Sequence, residues 1–228
     1  MLLTPEELES LVNVQHRSPH TLLGMHPLGD GSGLVARAFL PNATSVEAVP
    51  VHEKNKPKIK LKPVHDAGIF EGVTRDASRV YAYDLVVTQG GQARRTRDPF
   101  SFLPTLGETD LYLFGQGNER RIYDKLGAQL RNVDGVAGTS FAVWAPNAQR
   151  ISVVGDFNGW DGRFHPMRHL GPSGVWEIFI PGVREGALYK YEIKHANGAL
   201  VLKTDPYGFF FEPAPKNASI VWDNRKFS

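Results

Sequence analysis

Cysteine is absent from the 228-residue sequence. That removes disulfides, thiolate nucleophiles and thiolate metal sites together, and it fits a reducing compartment. Neither sign of charge is in excess: 26 Lys and Arg stand against 24 Asp and Glu. The basic residues are scattered, so the concentrated stripe of a nucleic-acid-binding surface is missing. The one dense basic stretch, Lys54 to Lys62, alternates Lys with Pro and apolar residues and reads as a solvated strand edge. No run approaches the roughly 18 apolar residues of a membrane span. The start, Met1 to Glu7, turns acidic within a few residues, without the basic start and apolar run of a secretory signal. The expectation is a cytoplasmic protein that engages neither nucleic acid nor membrane. Gly29 to Gly33 resembles a phosphate loop in composition but lacks the Gly-Lys-Ser/Thr ending, and no serine sits in a Gly-x-Ser-x-Gly elbow. His16, His20 and His26 are interrupted by Pro19 and Pro27 and have no acidic cluster beside them. His20 and His26 read as loop-fixing groups, so no metal is expected; no cofactor and no catalytic residue is expected either.

What is present is enough apolar material, 41%, for packed cores in a chain long enough for two ordinary domains. Self-comparison gives the architecture. Leu23-Gly24 recurs as Leu126-Gly127, Pro41-Asn42-Ala43 as Pro146-Asn147-Ala148, and Phe70-Glu71 as Trp176-Glu177. Tyr83-Asp84 recurs as Tyr191-Glu192, and Asp98-Pro99-Phe100 as Asp205-Pro206-Tyr207. The five matches are colinear, with an offset drifting only between 103 and 108 residues, as loop insertions would produce. Each unit has the length of an immunoglobulin-like sandwich. The predicted division is residues 1–105, a linker or cap over 106–121, and a second sandwich over 122–228.

Within each unit the period is that of strands. Leu34 to Phe39 and Ser140 to Trp144 run into Pro-Asn-Ala turns, and Val175 to Ile180 and Tyr189 to Ile193 are rich in β-branched and aromatic residues. Alternation puts Tyr189, Tyr191 and Ile193 on one face, with Lys190 and Glu192 on the other. Helix is predicted only at the start, where Thr4 with Glu7 forms a capping box, Pro5 takes the first turn, and Leu8, Leu11 and Val12 make an apolar stripe. The predicted fold is all-β: two tandem immunoglobulin-like sandwiches and a short N-terminal helix.

All four tryptophans, Trp144, Trp160, Trp176 and Trp222, fall in the second unit. A flat ring suits the C–H face of a sugar. Trp144 and Trp176 sit in strand patterns and are expected in the core; Trp222 fits either role. Trp160 lies in the turn-forming stretch Gly155-Asp156-Phe157-Asn158-Gly159-Trp160-Asp161-Gly162, where a ring tends to be exposed, turn packing being the alternative.

At these residues the sequence resembles a known family. Phe141 to Ala148, Val154 to Trp160, Tyr189 to Ile193 and Asp205-Pro206-Tyr207 are similar to the family 48 carbohydrate-binding module of bacterial glycogen branching enzymes. Ser18 to Pro27 is similar to the extra N-terminal domain of those enzymes. The resemblance implies a non-catalytic N-terminal region that handles α-1,4-glucan or glycogen. A catalytic (β/α)8 barrel would follow it in the same chain, and no segment of the sequence resembles that barrel before the last residues, Lys226-Phe227-Ser228. Related glycogen-binding modules attached to a protein kinase grip glucan with two tryptophans, a lysine and an asparagine. By that resemblance Trp160, Lys190 and Asn217 match the first tryptophan, the lysine and the asparagine, whereas Leu200 stands near the second tryptophan. Two alternatives are a stand-alone glycogen-targeting module and a protein-interaction sandwich without sugar affinity. For the latter, Phe209-Phe210-Phe211 is the candidate surface.

Overall fold

A computed structural model describes residues 2–118 and 121–224. Expectations attached to Met1 and to Lys226-Phe227-Ser228 lie outside the described residues. The chain divides into two compact units, Met1–Ser101 and Phe102–Ser228. No helix among the described residues is long and apolar enough to cross a membrane.

The first unit opens with helix α1 (Pro5–Val12). Its start is set by the capping box: Thr4 Oγ1 accepts from the Glu7 amide, and Glu7 Oε2 accepts from the Thr4 amide. Seven strands follow: β1 (Gly24–Pro27), β2 (Leu34–Phe39), β3 (Ala43–Pro50), β4 (Ile59–His65), β5 (Ile69–Thr74), β6 (Tyr83–Gln89) and β7 (Gln92–Arg97). They pair antiparallel in the order β1-β2-β5-β4-β3-β6-β7. Alternate residues of β2, β3, β4, β5 and β6, from Leu34 to Val87, share one buried cluster, so the sheet curls over itself into a sandwich.

Strand β2 is buried along its whole length. Leu34, Ala36 and Ala38 face the cluster; on the other face Arg37 pairs with Glu71 at 2.9 Å. The leading segment covers this pair. The Leu2 amide donates to Glu71 and the Leu22 carbonyl accepts from Arg37, supplying the partners that a buried ion pair requires.

The lysine-rich stretch differs from expectation. Strand β4 lies between β5 and β3, not at an edge. Its proline is accommodated because the pairing with β5 slips between Pro63 and His65, a bulge where the missing N–H costs no ladder bond. Lys60 and Lys62 point outward from an interior strand.

The second unit repeats this plan, beginning with a helix that the strand-based reading missed. Helix α2 (Glu108–Gly115) lies 103 residues after α1, the same offset that relates Gly24 to Gly127. The Gly107 amide donates to Asp110 Oδ2 at 3.0 Å, as the Thr4 amide donates to Glu7. The strands are β8 (Gly127–Val133), β9 (Val136–Trp144), β10 (Arg150–Gly155), β11 (Arg168–His169), β12 (Val175–Pro181), β13 (Leu188–Lys194), β14 (Leu200–Lys203), β15 (Phe210–Phe211) and β16 (Ser219–Ile220). One sheet runs β10-β13-β16-β15, with β14 pairing the far half of β13 on the side that β16 shares, and the other runs β11-β12-β9-β8. Between them Phe141 meets Tyr189 edge-to-face at 5.0 Å, with Trp176, Ile151, Val153 and Tyr191 buried around them. The far side of the second sheet is covered by the segment carrying α2: Phe102 packs on Phe179, and Phe114 on Trp144.

The repeated dipeptides are joints of the fold. Gly24 and Gly127 both have left-handed φ, +97° and +82°, and a side chain there would strike the carbonyl of Phe100 or Tyr207 at under 3 Å. Asp98 accepts from the Tyr83 hydroxyl and the Phe100 amide; Asp205 accepts from the Tyr189 and Tyr191 hydroxyls and the Tyr207 amide. Glu177, the counterpart of Glu71, binds Arg168 at 2.8 Å and is covered by the Thr105 amide and hydroxyl. The glutamate recurs, but its arginine arrives from the opposite neighbouring strand, β11 instead of the β2 equivalent.

Candidate functional site

The sheet containing β13 brings the sequence-predicted residues to one end. Lys190 lies opposite Val154, the penultimate residue of β10, and Tyr189 lies opposite both Gly155 and Ser219. The turn that carries Trp160 leaves β10 at Gly155, beside Lys190. Lys190 Nζ donates to Asn217 Oδ1 at 2.6 Å. Asn217 is held from behind as well, because its carbonyl accepts from the Thr204 hydroxyl at 2.8 Å. Lys190 retains two N–H donors and the Asn217 amide nitrogen two more, so this rim offers donors.

Trp160 is 38% exposed and adopts φ +62°, a left-handed conformation that costs a bulky residue about 1–2 kcal/mol. The surrounding turn offsets this with hydrogen bonds. The Trp160 amide donates to the Gly155 carbonyl, and Asn158 accepts from the Gly155 amide while donating to the Val153 carbonyl. Trp160 Nε1 donates to Asp156 Oδ1 at 3.1 Å. Next to it Arg163 grips Asp161 through both carboxylate oxygens, and these bonds hold the Asp161 carboxyl below its ordinary pKa.

Leu200 lies opposite Lys194 on β14 and is 56% exposed. That partner, Lys194, is four residues along β13 from Lys190, about 13 Å at strand rise. No ring stands at position 200.

The other aromatic expectations divide. Trp176 is fully buried, with Nε1 donating to the Ala145 carbonyl. Trp144, expected in the core, is 52% exposed. It closes β9 on the face covered by the leading segment, where it meets the edge of Phe114 at 6.2 Å and its Nε1 donates to the Ser173 carbonyl at 3.2 Å. Its repeat counterpart in the first unit, Phe39, is buried. Phe210 and Phe211 are 47% and 41% exposed, and Phe210 stacks on Trp222 at 4.7 Å. The three N-terminal histidines have separate surroundings: His16 Nδ1 accepts from the Ser18 amide, His20 packs edge-on against Phe100, and His26 bonds the Leu23 carbonyl.

Residues 125–208 match the family "Carbohydrate-binding module 48 (Isoamylase N-terminal domain)", and residues 4–100 match "alpha-1,4-glucan branching enzyme GlgB, N-terminal domain". The first match contains Trp160 and Lys190 and ends before Asn217. These matches define the class: a tandem sandwich whose second unit is a family 48 carbohydrate-binding module.

Among curated relatives, the 1,4-alpha-glucan branching enzyme GlgB of Rubrobacter xylanophilus is 51% identical over 96% of this chain and 29% of its own length. That of Myxococcus xanthus is 46% identical over 97% of this chain and 30% of its own. The chain belongs to the N-terminal region of the 1,4-α-glucan branching enzyme family, and it spans about three-tenths of the length of these relatives. Among solved structures, ligand-free PulA of Klebsiella pneumoniae overlays with a TM-score of 0.38 at 20% identity, covering 84% of this chain and 20% of that one.

Proposed function

We propose that this chain is a non-catalytic glucan-handling region whose second unit holds an α-1,4-glucan chain at Trp160, Lys190 and Asn217. There it would orient the glucan for a catalytic (β/α)8 barrel following in the same polypeptide. In that reading the barrel cuts α-1,4 linkages and rejoins the chains as α-1,6 branches of glycogen. The observation that carries the proposal is the pairing of an exposed, conformationally fixed tryptophan with a donor-rich Lys190–Asn217 rim at one end of one sheet. A sugar ring offers an apolar face to the indole and hydroxyl oxygens to the donors. With Leu200 where a second ring would stack, the grip is weak, and the barrel supplies the rest of the affinity.

Affinity electrophoresis in gels with and without glycogen tests it. Glycogen should retard the wild-type chain, and Trp160→Ala should remove the retardation while leaving the circular dichroism spectrum unchanged. A folded wild-type chain that glycogen fails to retard would sink the proposal.

A second reading, a protein-interaction sandwich, is favoured by the exposed Phe210 and Phe211 beside Trp222. Neighbouring exposed rings on short strands are costly in water unless a partner covers them. The two readings are compatible if the partner is the barrel itself.

A further inference from the structure

We infer that Asp156 is a positioning residue for the carbohydrate site: its carboxylate locks the plane of the Trp160 indole, so that the ring meets an α-glucan already oriented. The inference rests on the glucan-binding reading for its consequence and on the turn geometry for its substance.

The backbone alone cannot orient the ring. Left-handed φ at Gly159 and Trp160, both +62°, reverses the chain and delivers the Trp160 Cβ to the surface, but the two side-chain torsions remain free to rotate. The turn's other hydrogen bonds act on the backbone or on side chains other than Trp160. Asn158 ties Gly155 and Val153, and the Trp160 and Asp161 amides donate to the Gly155 and Asn158 carbonyls. Among the described residues, the bond that reaches the indole nitrogen is Nε1–H to Asp156 Oδ1, 3.1 Å long. Asp156 sits on the first residue of a short 3-10 turn, four positions before Trp160, and is itself exposed. A carboxylate so placed contributes nothing to a core. Because the indole N–H has an acceptor within the protein, the ring edge is anchored and only its face remains to meet a ligand.

Holding an aromatic side chain in its bound rotamer before binding removes an ordering cost otherwise met on association. For one such ring that amounts to roughly three- to tenfold in affinity. The acceptor need not be charged: an asparagine at 156 keeps an Oδ1 in the same place, whereas an alanine keeps none.

The test uses the full chain with Asp156→Ala and Asp156→Asn variants and two readouts. The first is 15N relaxation of the Trp160 indole N–H and of the backbone amides of 155–162, without ligand. Asp156→Ala should make the indole mobile on the nanosecond scale while the backbone amides stay ordered, and Asp156→Asn should restore the ordered indole. The second is titration with maltoheptaose, which Asp156→Ala should weaken about three- to tenfold and Asp156→Asn by less than twofold. An indole as ordered in the alanine variant as in the wild type overturns the inference whether or not glucan binds. So does joint loosening of ring and backbone, which would make Asp156 a turn-stabilising residue. If the wild type shows no maltoheptaose binding while the indole loosens as stated, the binding reading falls and the positioning of the ring stands.

Discussion

Replacing Asp98 with asparagine should change how the first unit's stability depends on pH. Asp98 is buried, and two opposing effects act on its carboxyl. Burial favours the neutral form, while the Tyr83 hydroxyl at 2.5 Å and the Phe100 amide at 2.9 Å favour the carboxylate. Burial dominates and lifts the pKa from 3.8 to about 6. A folded-state pKa above the unfolded one means that the folded protein binds more protons between the two values. The stabilisation is therefore complete below pH 3.8 and is lost as pH rises through 6. Two pKa units correspond to about 3 kcal/mol, of which about 2 kcal/mol disappears between pH 4 and pH 7.

An asparagine does not titrate, so the wild-type advantage over Asp98→Asn should shrink by about 2 kcal/mol across that range, on the order of 1 M in urea midpoint. All four tryptophans lie in the second unit, so fluorescence does not see this transition. Hydrogen exchange at the slowest amides of β3 and β6 does. A gap constant with pH, or one that widens as pH rises, would refute the reasoning. The latter result would mean that the two hydrogen bonds outweigh desolvation and that Asp98 is a stabilising carboxylate. Asp205 is raised in the same direction and for the same first cause, so Asp205→Asn should flatten the pH dependence of the second unit, which tryptophan fluorescence does report.

Gly127→Ala places a Cβ 2.8 Å from the Tyr207 carbonyl at φ +82°. It should destabilise the second unit by about 2 kcal/mol or more, read as a lowered tryptophan-monitored urea midpoint. Phe210→Ser removes a ring that is 47% exposed; it should reduce self-association in sedimentation velocity and leave the melting temperature within a few degrees, whereas a large fall would make Phe210 a core residue. Leu200→Trp restores a ring where the site lacks one and should tighten maltoheptaose binding about two- to tenfold by calorimetric titration; no gain would place the glucan's path away from β14.

Much of this architecture is legible in the sequence because duplication writes it twice. The glycine that admits a neighbouring carbonyl, the aspartate that gathers tyrosine hydroxyls and the buried glutamate each recur at matching positions, since each is constrained by backbone geometry or by a buried charge. Helix α2 escaped a strand-based reading for the opposite reason. Its cap, Gly107 with Asp110, has no side-chain hydroxyl, so the pattern that marks α1 at Thr4 and Glu7 is missing. Only carrying the 103-residue offset upstream of Gly127 locates it. Trp144 misled because β9 is covered on both faces, which erases the alternation that tells inside from outside. Lys190 and Asn217 are 27 residues apart, and their hydrogen bond depends on how β13 and β16 pair, a relation that no local pattern encodes.

Comparing the two units also explains why the candidate site occurs once. Tyr83 aligns with Tyr191, so Ala82 occupies the place of Lys190, and the stretch from Pro50 to Pro57 replaces the Gly155 to Gly162 turn without an aromatic residue. The segment carrying Asn217 and the β16 pairing both follow the buried aspartate, Asp205, and the anchor Thr204 immediately precedes it. The first unit ends at Ser101, three residues after its own buried aspartate, Asp98. The shared joints hold each sandwich together and carry no sugar chemistry. The proposed glucan site combines what the second unit adds after the point where the first unit ends with one turn rewritten around Trp160 and with Lys190 where the first unit has Ala82. Substitutions at the joints should therefore act on stability in both units, and substitutions at Asp156, Trp160, Lys190 or Asn217 on binding in the second alone.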